Sequence, residues 1–181
     1  MRQLKYHEKK LLRKVNLYAW NSDANIREAK VIRKFHLQSR TDYTSYNKIV
    51  GMVHKLIAKL QTLESDDAFR IAMTEQLLDK LYNLGILKNK SSLSKAYKIN
   101  VSDICRRRLP VLMVRMKMAE TMKVAITFIE QGQVRVGPNV VTDPAFLVTR
   151  NMEDFVTWVD TSKIKRTVQK YNDQLDDFDL L

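Results

Sequence analysis

Between Arg106 and Lys123 the chain carries six basic side chains, Arg106, Arg107, Arg108, Arg115, Lys117 and Lys123, against one acid, Glu120. Guanidinium forks match phosphate oxygens and can also stack on bases, so this cluster suits the holding of a polyanion rather than bond-making chemistry. Three consecutive arginines cannot share one helix face, because each step turns the side-chain direction by about 100°. At least one must therefore reach out where the others do not. Arg115, seven residues after Arg108, returns to a similar face. The plainer alternatives are a solvated face, or arginines paired with acids elsewhere in the chain, and clustering alone does not choose among them.

Other chemistry finds less support. His7, His36 and His54 are far apart, with none of the Cys or acidic spacing of a metal site. Cys105 is the single cysteine, which excludes an intramolecular disulfide and fits a reducing compartment. The adjacent arginines could lower its pKa, but its place on an apolar stripe favours packing. No GxxxxGKS/T, GxGxxG, GxSxG or HExxH pattern occurs. Met113, Met116, Met118 and Met122 are core or interface filler at helical spacing rather than a cofactor site. No cofactor and no catalytic residue is expected.

The formal net charge is +12 over 181 residues, which points to an anionic partner, nucleic acid before membrane. Residues 1–40 hold eleven basic side chains against Glu8, Asp23 and Glu28. Together with the 106–123 cluster they exceed the total, so the remainder is close to neutral. The ending DQLDDFDLL holds Asp173, Asp176, Asp177 and Asp179 and no base. With 45% hydrophobic residues, four Gly and three Pro, the chain has enough apolar material to fold and few loop-formers. No apolar run reaches the length of a membrane span, and the charged N-terminus lacks a signal-peptide core. The expectation is a soluble, intracellular protein.

The elements that must position the cluster follow from periodicity and capping chemistry. Residues 4–19 read as a basic helix or an arm that orders on its partner, with Trp20 as an anchor, and residues 24–38 as a second helix. Residues 43–63 form the strongest helix, with Ile49, Val53, Leu56, Leu60 and Leu63 as its buried stripe and Asp42, Thr44 or Ser45 as cap. Asp66 or Asp67 caps the next helix, which buries Met73, Leu77, Leu81 and Leu84 and stops at Gly85. Residues 86–100 read as a connecting loop. Ser102 is placed to cap a helix through Met113 that Pro110 should bend. Thr121 caps a helix that buries Val124, Ala125, Phe128 and Ile129 and ends at Gly132. Short strands are expected at Gln133 to Val136, Val140-Val141, Phe146 to Val148 and Phe155 to Val159, with a turn at Gly137-Pro138-Asn139. Ser162 opens a last helix over 163–175.

The order Arg108-Leu109, Arg115-Met116, Thr121, Ala125, Ile129, Gly132, Val134-Arg135-Val136 and Pro144 resembles the S-four RNA-binding domain. Residues 26–109 resemble the helical half of eukaryotic and archaeal members. The runs CRRRLPVLMVRMKMAE and VRVGPNVVTDPAFLVTRNMEDFVTWVDTSKIKR, the opening RQLKYHEKKLLRKV and the ending DDFDLL are similar to the Imp-three family, subunits of the U3 small nucleolar ribonucleoprotein. The resemblance implies an α+β fold, a mainly helical N-terminal half packed on an S-four-type domain of two helices and a small antiparallel sheet. It implies four parts: a basic arm over 1–40, a helical region over 41–105, the S-four-like domain over 106–172 and an acidic tail over 173–181. The family's RNA-facing surface is the pair of S-four helices. Carried onto this chain, it adds Thr121 to Arg108 and Arg115, and Gln133 and Arg135 on the following strand as peripheral contacts. Met122 and Ile126 stand where bacterial members often have arginine, so Lys117 and Lys123 are expected to compensate.

The function so implied is a non-enzymatic RNA-binding component of the small-subunit processome that assists U3 RNA pairing with pre-ribosomal RNA and 18S rRNA maturation. Its partners would be U3 RNA, pre-ribosomal RNA, the M-phase phosphoprotein scaffold and other processome proteins, in the nucleus and nucleolus. A structural protein of the mature small subunit and a protein-docking adaptor are the alternatives. The acidic ending, which rRNA phosphates would repel, favours the assembly factor over the structural protein. A modifying enzyme with this domain as an appendage is disfavoured, because the segment before Arg106 shows no catalytic constellation.

Overall fold

The structure, a computed structural model, describes residues 2–14, 22–90 and 92–174. The fold is α+β, with helices and a three-stranded antiparallel sheet built on two hydrophobic clusters. Helices α1 (Tyr6–Lys14) and α2 (Ser22–Phe35) begin the chain. Residues 15–21, including Trp20, lie outside the described residues, as do 175–181 of the acidic ending. Helix α2 stops where His36 takes a left-handed conformation (φ 46°) and the Leu37 N–H reaches back to the Ile32 carbonyl at 3.1 Å.

Helix α3 runs Arg40–Gln61 and starts earlier than its sequence suggests. The cap is Ser39, whose hydroxyl accepts the Thr41 N–H at 3.1 Å; it is not Asp42, Thr44 or Ser45. The buried stripe is also rotated. Tyr46, Val50, Val53, Ile57 and Leu60 are inside, whereas Ile49, Leu56 and Leu63 are exposed. Both sets have spacings of three and four, and the helix is apolar on more than one side, so periodicity alone could not choose the face.

Helix α4 (Ala68–Asn83) is capped by Asp67, whose carboxylate accepts the Phe69 N–H at 2.9 Å. It buries Leu78 and Leu81 and ends at Gly85, left-handed at φ 74° as its position required; the expected Leu84 is exposed. The segment expected to be a loop contains α5 (Leu93–Tyr97), whose Ala96 is fully buried.

The expected continuous helix from Ser102 to Met113 is two helices. Helix α6 (Val101–Cys105) is capped from Asn100, whose backbone N–H donates to the Asp103 carboxylate at 2.9 Å. Helix α7 (Leu109–Arg115) follows after the chain opens at Arg108 (ψ 143°). Pro110 therefore stands in the first turn of α7, where a backbone N–H has no helical partner anyway, and it bends nothing. What breaks the helix is long-range pairing. The Leu109 N–H donates to the Phe146 carbonyl and the Val148 N–H to the Arg107 carbonyl, each at 2.9 Å. This Arg108–Leu147 bridge is all that the structure has of the strand expected at Phe146 to Val148.

Helix α8 (Met122–Glu130) is capped by the Thr121 hydroxyl, buries Ala125 and Ile129 and ends before Gly132 (φ 68°); Val124 is exposed rather than buried. Strands β1 (Val134–Val136), β2 (Asn139–Val140) and β3 (Val156–Trp158) form the sheet in the order β2-β1-β3. A 3-10 helix over Arg150–Phe155 leads into β3. Helix α9 (Lys163–Tyr171) is capped by Ser162, whose hydroxyl accepts the Ile164 N–H at 3.2 Å.

One cluster gathers Phe35, Tyr46, Ile57, Leu81, Ile99, Ile104 and Cys105 from the helical half; the other gathers Leu109, Leu112, Met113, Ile129, Val134 and Val148. Polar bonds join the two halves. Tyr46 donates to the Ala145 carbonyl at 3.3 Å, Arg150 donates to the carbonyls of Tyr82 and Leu87, and Gln38 bonds Glu130.

Candidate nucleic-acid interface

The opening of the chain at Arg106–Arg108 sends the three arginines in different directions. Arg106, at the end of α6, is exposed and pairs with Asp103 at 2.5 Å. Arg107 turns inward. Its Nε and Nη2 donate to the Val148 carbonyl at 3.1 and 2.9 Å, and Nη1 donates to Glu153 at 2.9 Å. Arg108 is deeper still, at 1% exposure. Its Nε and Nη2 donate to the Pro144 carbonyl at 3.2 Å, Asp42 lies 3.8 Å away, and Nη1 is buried without a partner. Of three arginines read as ligand contacts, two are thus used inside the fold. A buried guanidinium is tolerable only when paired and hydrogen-bonded, and these bonds hold the 144–153 segment onto α6 and α7.

The remaining candidates separate into groups. Arg115, at the end of α7, is 69% exposed along its side chain and reaches Glu153 at 3.4 Å. Glu153 therefore bridges Arg107 and Arg115. Lys117 is exposed and left-handed (φ 61°), where α7 ends with the Met118 N–H on the Met113 carbonyl. Thr121 and Lys123 are exposed at the start of α8, and the Thr121 hydroxyl is engaged by the Val124 N–H at 3.4 Å. Helices α7 and α8 pack on each other, and Arg115, Lys117, Thr121 and Lys123 lie at the end of α7, in the connection and at the start of α8.

Gln133 and Arg135 sit on the sheet side instead. Arg135 donates to Thr157 at 3.0 Å and to Asp160 at 2.5 Å, and Lys165 also pairs with Asp160 at 2.5 Å. The Lys165 hydrogen bond, with Arg135 beside it, holds the Asp160 carboxyl below the usual carboxylate range. Met122 packs against the first core cluster. It is only partly buried there, so an arginine would lie partly against apolar side chains.

Charge spacing along the chain did not reveal a cleft of about 630 Å³ between the halves, where Arg106, Arg107 and Arg115 meet Lys88, Lys98 and Arg150. The Arg150 guanidinium stacks on the Tyr82 ring at 4.0 Å. No local signal marks Lys88, Lys98 or Arg150, because they come together only through the packing of distant segments.

Cys105 is fully buried, in line with a packing role, and burial pushes its thiol up to about 11 despite Arg108 nearby. His54 is a partly buried histidine, bonded to the Ile99 carbonyl at 3.1 Å and packed on Tyr97. Among the described residues no group of His, Cys, Asp and Glu could hold a metal ion, and no helix is long and apolar enough to cross a membrane.

Comparison with known proteins places this geometry. The family described as Ribosomal protein S4/S9 N-terminal domain matches residues 3–106, and the S4 domain matches residues 107–154. The chain is 55% identical over 180 residues to the U3 small nucleolar ribonucleoprotein protein IMP3 of Saccharomyces cerevisiae, covering 99% of this chain and 98% of that one. It is 51% identical over 181 residues to the human protein of the same name, again covering 99% and 98%. Similarity to the small ribosomal subunit protein uS4 of Picrophilus torridus is lower, 31% over 146 residues, covering 80% of each chain.

Proposed function

This chain belongs to the IMP3 family of U3 small nucleolar ribonucleoprotein proteins, and on that premise we propose that it is a non-enzymatic RNA-binding subunit of that particle. The observation that carries the reading is the exposed basic group of Arg115, Lys117 and Lys123, at the end of α7, in the turn after it and at the start of α8 of the S4-type domain. Pairing U3 RNA with pre-ribosomal RNA brings two polyanions together. A protein that supplies a basic face lowers their repulsion and holds one strand open for pairing, ahead of 18S rRNA maturation.

The residues proposed to touch RNA are Arg106, Arg115, Lys117, Thr121 and Lys123, with Gln133 and Arg135 at the periphery. Arg107 and Arg108 serve as internal braces beneath them. Other processome proteins, among them the M-phase phosphoprotein scaffold, are the partners, and the nucleolus is the location. The four-part division at residues 40, 105 and 172 belongs to the same proposal, with the S4-type part carrying the RNA contacts.

Crosslinking the protein to RNA in cells and sequencing the adducts tests this reading. Adducts on U3 RNA and the pre-ribosomal spacer are expected. Adducts confined to mature rRNA would instead make the chain a structural small-subunit protein.

A further inference from the structure

The cleft between the two halves concentrates more positive charge than the S4-type helices alone. Seven basic side chains line it against two acids, Asp103 and Glu153. The neighbouring cleft beside α4 shows no such bias, with Arg70 and Lys90 set against Glu75 and Asp79.

The floor is rigid. Arg107 is held by the Val148 carbonyl and Glu153, and Arg150 by the Tyr82 and Leu87 carbonyls and the Tyr82 ring. Arg107 contributes fixed positive charge beneath the cleft rather than a contact, and Arg150 is held in place before any ligand arrives, so little side-chain entropy is lost there on binding. The rim is open. Arg106 and Arg115 are exposed, and Lys88 and Lys98 are exposed with no ion pair or side-chain hydrogen bond among the described residues. Glu153 touches Arg115 only at 3.4 Å, an interaction that an incoming phosphate can replace.

We propose that this cleft seats the turning backbone of a single-stranded RNA segment, continuing the path from the S4-type helices onto the helical half. The proposal rests on the RNA-binding reading above and extends it to residues outside the S4-type domain. The surplus of cations selects phosphates. A concave, cation-lined cleft of about 630 Å³ suits a single strand, whose backbone a positively charged groove can track.

The test is fluorescence anisotropy on the full chain with a short labelled oligouridine, a duplex competitor and a salt titration. The Lys88→Glu/Lys98→Glu variant alters the cleft, and Lys117→Glu/Lys123→Glu alters the helices. All four lysines are exposed, and far-UV circular dichroism checks that both variants fold. The cleft variant is expected to bind oligouridine roughly tenfold or more weakly, with the log–log salt slope shallower by about 0.7 for each phosphate that is no longer neutralised. The duplex should compete poorly. Parental affinity and slope in the cleft variant, with binding abolished in the helix variant, would overturn the cleft proposal and leave the RNA-binding reading standing. Parental binding in both variants would overturn that reading as well. Equal competition by duplex would remove the single-strand assignment, and equal competition by polyglutamate would reassign the cleft to an acidic protein segment.

Discussion

Arg107 and Arg108 are charged groups held where charge is costly, and their bonding decides what each contributes. Arg107 satisfies the Val148 carbonyl and pairs Glu153. Arg107→Met would leave that carbonyl and carboxylate without their main donor, at a cost of about 3 kcal/mol. Arg106→Met, at an exposed side chain, should change stability by less than about 0.5 kcal/mol while weakening RNA binding. Urea denaturation of the two variants beside RNA titrations checks this, and the opposite pattern would exchange the roles of the two arginines. Cys105 makes a separate prediction. Its folded thiol titrates near 11 rather than at the ordinary thiol value of 9.0, because burial disfavours the thiolate. The unfolded chain therefore loses its proton first as pH rises. The stability from this thiol is intact below about pH 9 and declines towards pH 11, by roughly 3 kcal/mol in total. Cys105→Ala should be less stable at pH 7, lacking a buried side chain, and should show a flatter decline between those pH values. Parallel declines in denaturation midpoint for both proteins would count against a buried thiol.

At the scale of elements, local signals and long-range packing had different legibility. The caps Asp67, Thr121 and Ser162 and the stops Gly85 and Gly132 were readable, since each is set by a side chain or a left-handed backbone within a few residues. The α6–α7 break was not, because its cause is pairing with residues 146–148, some forty positions away. The same holds for the site. The sequence points to the basic S4-type helices, but the inward turn of Arg107 and Arg108 and the cleft with Lys88, Lys98 and Arg150 exist only after the halves pack. Gly85 joins the two levels. A Cβ there would lie 2.7 Å from the Arg107 guanidinium, and the φ of 74° strains any other L residue. Gly85→Ala should cost about 2 kcal/mol or more, through left-handed strain and displacement of Arg107. Thr121→Ala, removing a cap whose bond is long at 3.4 Å, should cost about 0.5–1 kcal/mol. Thermal unfolding of both variants tests the order, and an equal or smaller effect for Gly85→Ala would mean that Arg107 yields without penalty.

For the whole molecule the question is whether two hydrophobic clusters behave as one folding unit. Their junction is apolar in part, with Val111, Met122 and Leu147 packed on the first cluster from the second half. It is also polar at defined points, and Arg108 is central among them. Its guanidinium joins the Pro144 carbonyl in one half to Asp42 on α3 in the other, beside the bond from Tyr46 to the Ala145 carbonyl. A proposed RNA path across both halves needs their relative position fixed, since a misplaced rim would separate phosphates held on the helices from those held in the cleft. Rigid coupling should show as a single unfolding transition, with tertiary and secondary signals coincident. Trp158 lies in the second cluster against Phe128, so its emission in a Trp20→Phe background reports that cluster, while far-UV circular dichroism weights the helices of the first. The two signals should coincide in the parent. Arg108→Met removes the charge that bonds Pro144 and faces Asp42 while keeping most of the volume, and it should pull the two transitions apart with the Trp158 signal moving to lower urea. If the transitions stay coincident at a reduced midpoint, Arg108 adds stability without coupling the halves, and the apolar packing of Val111, Met122 and Leu147 is what holds them in register.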